Sequence, residues 1–299
     1  MLGRRADGYH EIRTVFQTIT LHDTITFRLT ESKSISLSCD VSDIPTGEVN
    51  LIIRAADALL RRFDVGMGAS IHLEKRIPVS AGLGGGSSDA AITLLALARL
   101  WELDLTRTEL EDLGAGLGAD VPFFLTGGTA VGRGLGTTIS PLSDIPVARL
   151  LVVKPEVEVS TADAYRALNL HALTKDECDT ILSSSRLHPD FSDFLSGILK
   201  NDFESVVFGM HPQIMRARDE LISQGARSAL LAGSGASVFG VFDSVEAQER
   251  ATAAMRQQNG WRVLKCATLS RDCYLKDLGE CAAPLRDAFP RVEGFDIGA

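Results

Sequence analysis

A chain of 299 residues is long enough for two ordinary domains, and its 45% hydrophobic and 23% charged residues are the proportions of a soluble globular protein. Its 30 basic and 39 acidic residues leave a net charge of −9, which argues against nonspecific binding of nucleic acid or an anionic membrane, since both reward clustered lysine and arginine. A small anionic substrate in a locally basic pocket stays open.

No apolar run reaches membrane-spanning length, and the arginines near Met1 are not followed by the apolar stretch of a secretory signal. The expected compartment is the cytoplasm. Cys39, Cys178, Cys266, Cys273 and Cys281 show neither CxxC spacing nor an accompanying histidine cluster, so they read as reduced thiols.

In chain order, Thr24 to Leu29 and Ser34 to Ser38 alternate as half-buried strands do. Asn50 is placed to cap a helix through Arg62, and Ala69 to Ile77 alternates again. A glycine-rich turn then leads into the best helix of the chain, Ser88 to Trp101. Thr106 to Leu117 forms a further helix with a capping box from Thr106 and Glu109. Near residue 145, Pro141 and Pro146 bracket a link. Beyond it come strands at Ala148 to Val153, Ser228 to Leu231 and Ser237 to Phe242, a helix from Val245 to Gln258, and a strand from Trp261 to Ala267. Strands and helices mix in both halves, so the expected class is α+β in two domains, 1–145 and 146–278, with 279–299 a loose tail.

The segment Pro78-Val79-Ser80-Ala81-Gly82-Leu83-Gly84-Gly85-Gly86-Ser87-Ser88-Asp89 is the most informative. Its glycines let backbone N–H groups converge on one point, and the following helix adds its unpaired N-terminal donors there, an arrangement suited to a polyphosphate. Ser87 and Ser88 can donate to phosphate, or a hydroxyl can ligate Mg²⁺. The spacing fits neither the Walker A loop nor GxGxxG. A flexible turn with a serine cap is the plainer reading. Downstream, Gly118-Ala119-Asp120-Val121-Pro122 sets one carboxylate in a glycine-rich, apolar turn that Pro122 prevents from being regular helix. Asp120 reads either as a cap or as the carboxylate that phosphoryl transfer to an alcohol requires.

These motifs, in this order, resemble those of the GHMP kinases. The resemblance implies a two-domain GHMP fold, with an S5-like first domain and a ferredoxin-like second, and an enzyme using ATP and Mg²⁺. It implies that the loop from Pro78 to Asp89 holds the nucleotide phosphates, with Ser88 on the metal, and that Asn50 and Lys75 are nucleotide contacts. Asn50 also reads as a helix cap. By the same resemblance Asp120 is the catalytic base.

Gly3-Arg-Arg-Ala-Asp-Gly-Tyr9-His10 is similar to a stretch found in the branch of the family that phosphorylates a cytidine diphosphate-linked sugar alcohol in isoprenoid biosynthesis. There the Tyr-His pair frames the cytidine. The segment around Thr161 and Tyr165 resembles the one that supplies a polar contact and an aromatic stack, although a helix cap and a core tyrosine are equally natural readings. Gly233-Ser234-Gly235 resembles the third family motif, beside the acceptor's phosphates, and also reads as a plain hairpin. A homoserine- or mevalonate-type kinase would share the phosphate loop but not Tyr9-His10. The sequence leaves monomer and homodimer open.

One family element is missing. Members begin with a strand reading approximately Ala-Lys-Ile-Asn-Leu, whose lysine partners the aspartate, whereas Met1 here stands two residues before Gly3. The expectation is a true start upstream of Met1. The alternative is a shortened nucleotide-binding product without catalysis.

Overall fold

The computed structural model describes residues 2–4, 9–168 and 200–286. The first domain holds two sheets. One is antiparallel, in the order β1 (Gly3–Arg4), β2 (His10–Gln17), β6 (Thr129–Gly134), β7 (Thr138–Pro141). The other runs β3 (Thr24–Thr30), β5 (Gly68–Glu74), β4 (Ile35–Cys39). Because β4 and β5 are parallel, no tight turn can join them, and α1 (Leu51–Arg62) makes the crossover. Asn50 starts α1 by accepting from the Ile52 N–H at 2.9 Å.

The helix expected from Ser88 begins earlier, as α2 (Gly85–Leu100). Gly84, at φ +69°, is its last non-helical residue. Glycine costs about 1 kcal/mol in a helix, but α2 is buried on nearly every side, and packing outweighs propensity there. Around it, Ile52, Leu59, Ile71, Leu73, Leu94, Leu97 and Leu110 form the first core. The capping box of Thr106 and Glu109 is present at the start of α3 (Arg107–Leu117), and α4 (Val121–Phe124) follows at once.

The second domain contains β8 (Arg149–Pro155), α5 (Thr161–Leu168), α6 (Glu204–Met210), α7 (Pro212–Ser223), β9 (Ser228–Leu231), β10 (Val238–Phe242), α8 (Val245–Met255) and β11 (Trp261–Ala267). Its antiparallel sheet has the order β11-β8-β10-β9, the β-α-β-β-α-β arrangement of a ferredoxin-like domain. β8 reads as a continuous apolar run because both its faces are covered. Leu151 and Val153 meet the helices, while Leu150 and Val152 join Ile19, Leu21 and Leu83 of the first domain.

After β11 the chain returns to the first domain. α9 (Arg271–Asp277), a 3₁₀ turn (Gly279–Ala282) and α10 (Ala283–Arg286) place Leu275, Ala282 and Leu285 in the first core. The stretch read as a tail from 279 is therefore packed structure through Arg286, and residues 287–299 lie outside the described residues. Cys178 also lies outside them. Cys266 is buried, and burial pushes its thiol up to about 12.

Candidate active site

The glycine-rich loop of the first domain is braced by the second. Pro78 is buried, Val79 is 57% exposed, and Ser80 turns the chain at φ +52°. The Ala236 N–H donates to the Ser80 carbonyl, and the Ser237 N–H to the Ala81 carbonyl, both at 3.2 Å. Leu83 is half-buried in the cluster between the domains. Gly82 sits at φ +71° so close to the second domain that a Cβ there would stand 2.1 Å from the Ala232 carbonyl oxygen and 2.8 Å from that of Gly235. The Gly233-Ser234-Gly235 turn is therefore more than a hairpin end: it is the surface on which the loop rests.

Gly82→Ala should displace the loop from that turn. We expect the affinity for an ATP analogue, measured by calorimetry, to fall about tenfold, the scale of 1–3 kcal/mol of backbone strain. Unchanged affinity would show that the close approach is irrelevant to nucleotide binding.

The loop also meets the Asp120 turn. A Cβ at Gly84 would stand 2.9 Å from the Phe124 ring, and one at Gly118 would stand 3.9 Å from the Ser87 hydroxyl. The turn that carries Asp120, between Gly118 and Phe124, therefore packs against the start of α2. It occupies the N-cap position of α4, yet its carboxylate makes no capping hydrogen bond. Burial alone holds its pKa above the ordinary carboxylate range. A half-buried carboxylate with no capping bond, in a turn packed against the glycine loop, is suited to accepting a proton.

Lys75 and Asp89, expected at the nucleotide, are engaged with each other. The Lys75 ammonium donates to Asp23 at 2.5 Å and to Asp89 at 2.8 Å, with side-chain exposures of 8%, 2% and 7%. The second Asp23 oxygen accepts from the N–H groups of Arg76 and Ile77 at 2.6 and 2.8 Å, fixing the chain between β5 and the glycines. Burial pushes the Asp89 carboxyl up to about 7 against the pull of the Lys75 charge. Burial also opposes the Lys75 charge, but Asp89 and Asp23 outweigh it and raise the ammonium's pKa. Lys75 Nζ would lie 3.1 Å from a Cβ at Gly85, so the cluster sits against the first turn of α2. Asp23 carries no motif that would have marked it in the sequence.

Asn50 caps α1, as one of its two readings had it, and its amide also donates to the Pro45 carbonyl at 2.7 Å. Its neighbour Leu51 lies 3.6 Å from a Cβ at Gly86, which places this segment beside the loop.

On the other side, the His10 and Tyr165 rings pack with centroids 4.8 Å apart. The Phe203 ring meets Tyr165 edge-on at 4.9 Å, a contact that sequence reasoning missed. Tyr165 is half-buried; burial raises its pKa first, and the nearby Asp120 charge adds to this. Tyr9 is 63% exposed. The cap of α5 is the Ser160 hydroxyl, which accepts from the Asp163 N–H at 3.3 Å. Thr161 is left to hydrogen-bond Ser234, hydroxyl to hydroxyl at 2.9 Å.

Residues 50–128 match the family described as GHMP kinases N terminal domain, and residues 185–260 match GHMP kinases C terminal. The chain is 40% identical over 261 residues to 4-diphosphocytidyl-2-C-methyl-D-erythritol kinase of Citrifermentans bemidjiense, covering 87% of this chain and 91% of that one. It is 40% identical over 255 residues to the enzyme of the same name from Lachnoclostridium phytofermentans, covering 84% and 86%. The chain belongs to the GHMP kinase family, in its 4-diphosphocytidyl-2-C-methyl-D-erythritol kinase branch.

A crystal structure of 4-(cytidine 5'-diphospho)-2C-methyl-D-erythritol kinase superimposes with a TM-score of 0.72 at 32% identity, covering 90% of this chain and 96% of that one. Homoserine kinase of Cytophaga hutchinsonii superimposes with a TM-score of 0.67 at 20% identity, covering 86% of this chain and 90% of that one, which speaks for the fold alone. As a GHMP kinase the protein is a small-molecule kinase, and the two-domain GHMP fold is the one observed. Among the described residues no helix is long and apolar enough to cross a membrane.

Proposed function

We propose that this kinase transfers the γ-phosphoryl group of ATP to the 2-hydroxyl of 4-diphosphocytidyl-2-C-methyl-D-erythritol, a step of the methylerythritol phosphate route to isoprenoids. The observation that carries the reading is the Asp120 carboxylate without a capping bond, in a turn packed against the glycine loop, in a chain 40% identical to enzymes named for this substrate. The triphosphate lies on the backbone from Gly82 to Ser88, where the first-turn N–H groups of α2 and its dipole face the anion. Asp120 orients the acceptor hydroxyl and takes its proton as the new O–P bond forms and the bond to ADP breaks. Positioning and charge neutralisation supply most of the rate.

Magnesium fits this site in one way. Among the described residues no cluster of three or more His, Cys, Asp or Glu could hold a metal, and Asp89 is spent on Lys75. The Ser88 hydroxyl is the side chain that would help hold such an ion, and the ion would supply neutralisation of phosphate charge.

The cytidine packs beside Tyr9, His10 and Tyr165, where flat rings suit a pyrimidine, and Thr161, Ser234 and the flanking glycines face the acceptor's diphosphate. The test is a panel of acceptors incubated with ATP and Mg²⁺ and read by mass spectrometry. The cytidine diphosphate-linked alcohol should gain one phosphoryl group, while homoserine and mevalonate should gain none. Preferred phosphorylation of either of the latter would overturn the assignment.

A further inference from the structure

One side chain outside every motif touches both halves of this site. Asn201 lies just before α6, and its amide nitrogen donates to the Leu231 carbonyl at 2.9 Å and to the Gly233 carbonyl at 2.6 Å. Its amide oxygen accepts from the Phe203 N–H at 3.0 Å. Two carbonyls on one end and an N–H on the other fix which atom is nitrogen. Glu204 completes the grip, its Oε1 accepting from the Leu231 N–H at 2.8 Å.

The two ends of the carboxamide lead to different places. The nitrogen holds the Gly233 turn, and a Cβ at Gly233 would stand 3.0 Å from the Gly82 carbonyl oxygen. The oxygen holds Phe203, whose ring meets Tyr165 edge-on. We propose that Asn201 is a positioning residue that sets the Gly233 turn under the phosphate loop with one end and the Phe203–Tyr165 pair of the acceptor side with the other. It touches neither substrate. Its rival role is that of a plain cap for the start of α6, for which the oxygen alone suffices.

Aspartate separates the two roles. Asn201→Asp keeps the oxygen that accepts from Phe203 and caps as well as asparagine, but it turns an acceptor toward two carbonyls. Asn201→Ala removes both ends. Calorimetry of the full chain with a non-hydrolysable ATP analogue and Mg²⁺, and separately with 4-diphosphocytidyl-2-C-methyl-D-erythritol, reads each arm. It also reports Kd apart from the fraction of competent protein.

The expected result is an Asn201→Asp protein whose affinity for the analogue falls about tenfold, the scale of a polar contact left unsatisfied, with a smaller loss of acceptor affinity, because the displaced Gly233 turn also faces the acceptor's diphosphate while the Phe203 end is kept. Asn201→Ala should weaken both. An Asn201→Asp protein with wild-type Kd for the analogue, or one that loses only binding stoichiometry, would overturn the proposal in favour of the cap. If that variant does not fold, Glu204→Ala, which releases the Leu231 N–H, must weaken the analogue in the same way; unchanged affinity would equally overturn it. The acceptor arm rests on the function proposed above. Wild-type protein that binds the analogue but not the cytidine alcohol would sink that assignment, and the analogue arm would still decide Asn201.

Discussion

Asp120→Asn is expected to lower turnover about 10²–10⁴-fold, the range for removing a general base, while leaving the affinity for an ATP analogue unchanged. The carboxylate has no capping bond to lose, and asparagine keeps its shape. Because burial raises its pKa, wild-type turnover should fall on the acid side from a higher pH than an exposed aspartate would impose. The same burial has the opposite consequence for stability. A carboxyl whose folded pKa exceeds its unfolded value, near 3.9, makes ionisation costly to the fold. That cost is absent below the unfolded value, grows as pH rises toward the folded value, and is complete above it. Asp120→Asn should therefore melt at a higher temperature than wild type near neutral pH, with the gain vanishing at strongly acid pH. Retained turnover, measured by coupled release of ADP, would remove Asp120 from its role.

The second large effect falls on stability. Lys75→Met leaves Asp23 and Asp89 buried side by side without their cation. Removing one partner of a buried ion pair typically costs about 3–5 kcal/mol, because the remaining charge is neither solvated nor neutralised. We expect urea unfolding to show a loss of that order. Lys75→Met/Asp89→Asn should recover much of it, since one buried negative charge is then gone. Asp23 still holds two backbone N–H groups ahead of the glycines, so the double variant should keep a recognisable loop. A single variant as stable as wild type would contradict this account of the cluster, because it would mean that the two carboxylates need no cation where they are buried.

What could be read from the sequence follows the range of the interactions involved. β3, β9 and β11, and helices α1 and α3, were legible because their signals are local: alternation, a cap, a capping box. The glycine loop and Asp120 stood out for the same reason, each lying in a short run of unusual composition. β2 and β6 did not, since they pair with each other far along the chain and β6 contains glycines that blunt its alternation, and the four residues of β7 are too few to show one. The return of Leu275, Ala282 and Leu285 to the first core rests on residues too sparse to give a period.

The support of the site was hidden in the same way. Asp23 reaches Lys75 across 52 positions, and Asn201 reaches Gly233 across 32. Lys75 and Asp89 stand in or beside recognisable motifs, but Asp23, the partner that makes them a cluster, does not. Of the aromatic group, His10 and Tyr165 lie in recognisable segments and Phe203 does not, because an edge-on contact leaves no mark in a linear sequence.

The central claim is geometric: the glycine loop seats a triphosphate and aims its last phosphorus toward Asp120. A crystal structure with a non-hydrolysable ATP analogue tests this most directly. The expected density places the β- and γ-phosphates on the N–H groups from Gly82 to Ser88, with the γ-phosphorus facing the Asp120 carboxylate across a gap wide enough for one hydroxyl. Phosphates seated away from those amides, or turned from Asp120 with the second domain's turn still in place, would contradict the account.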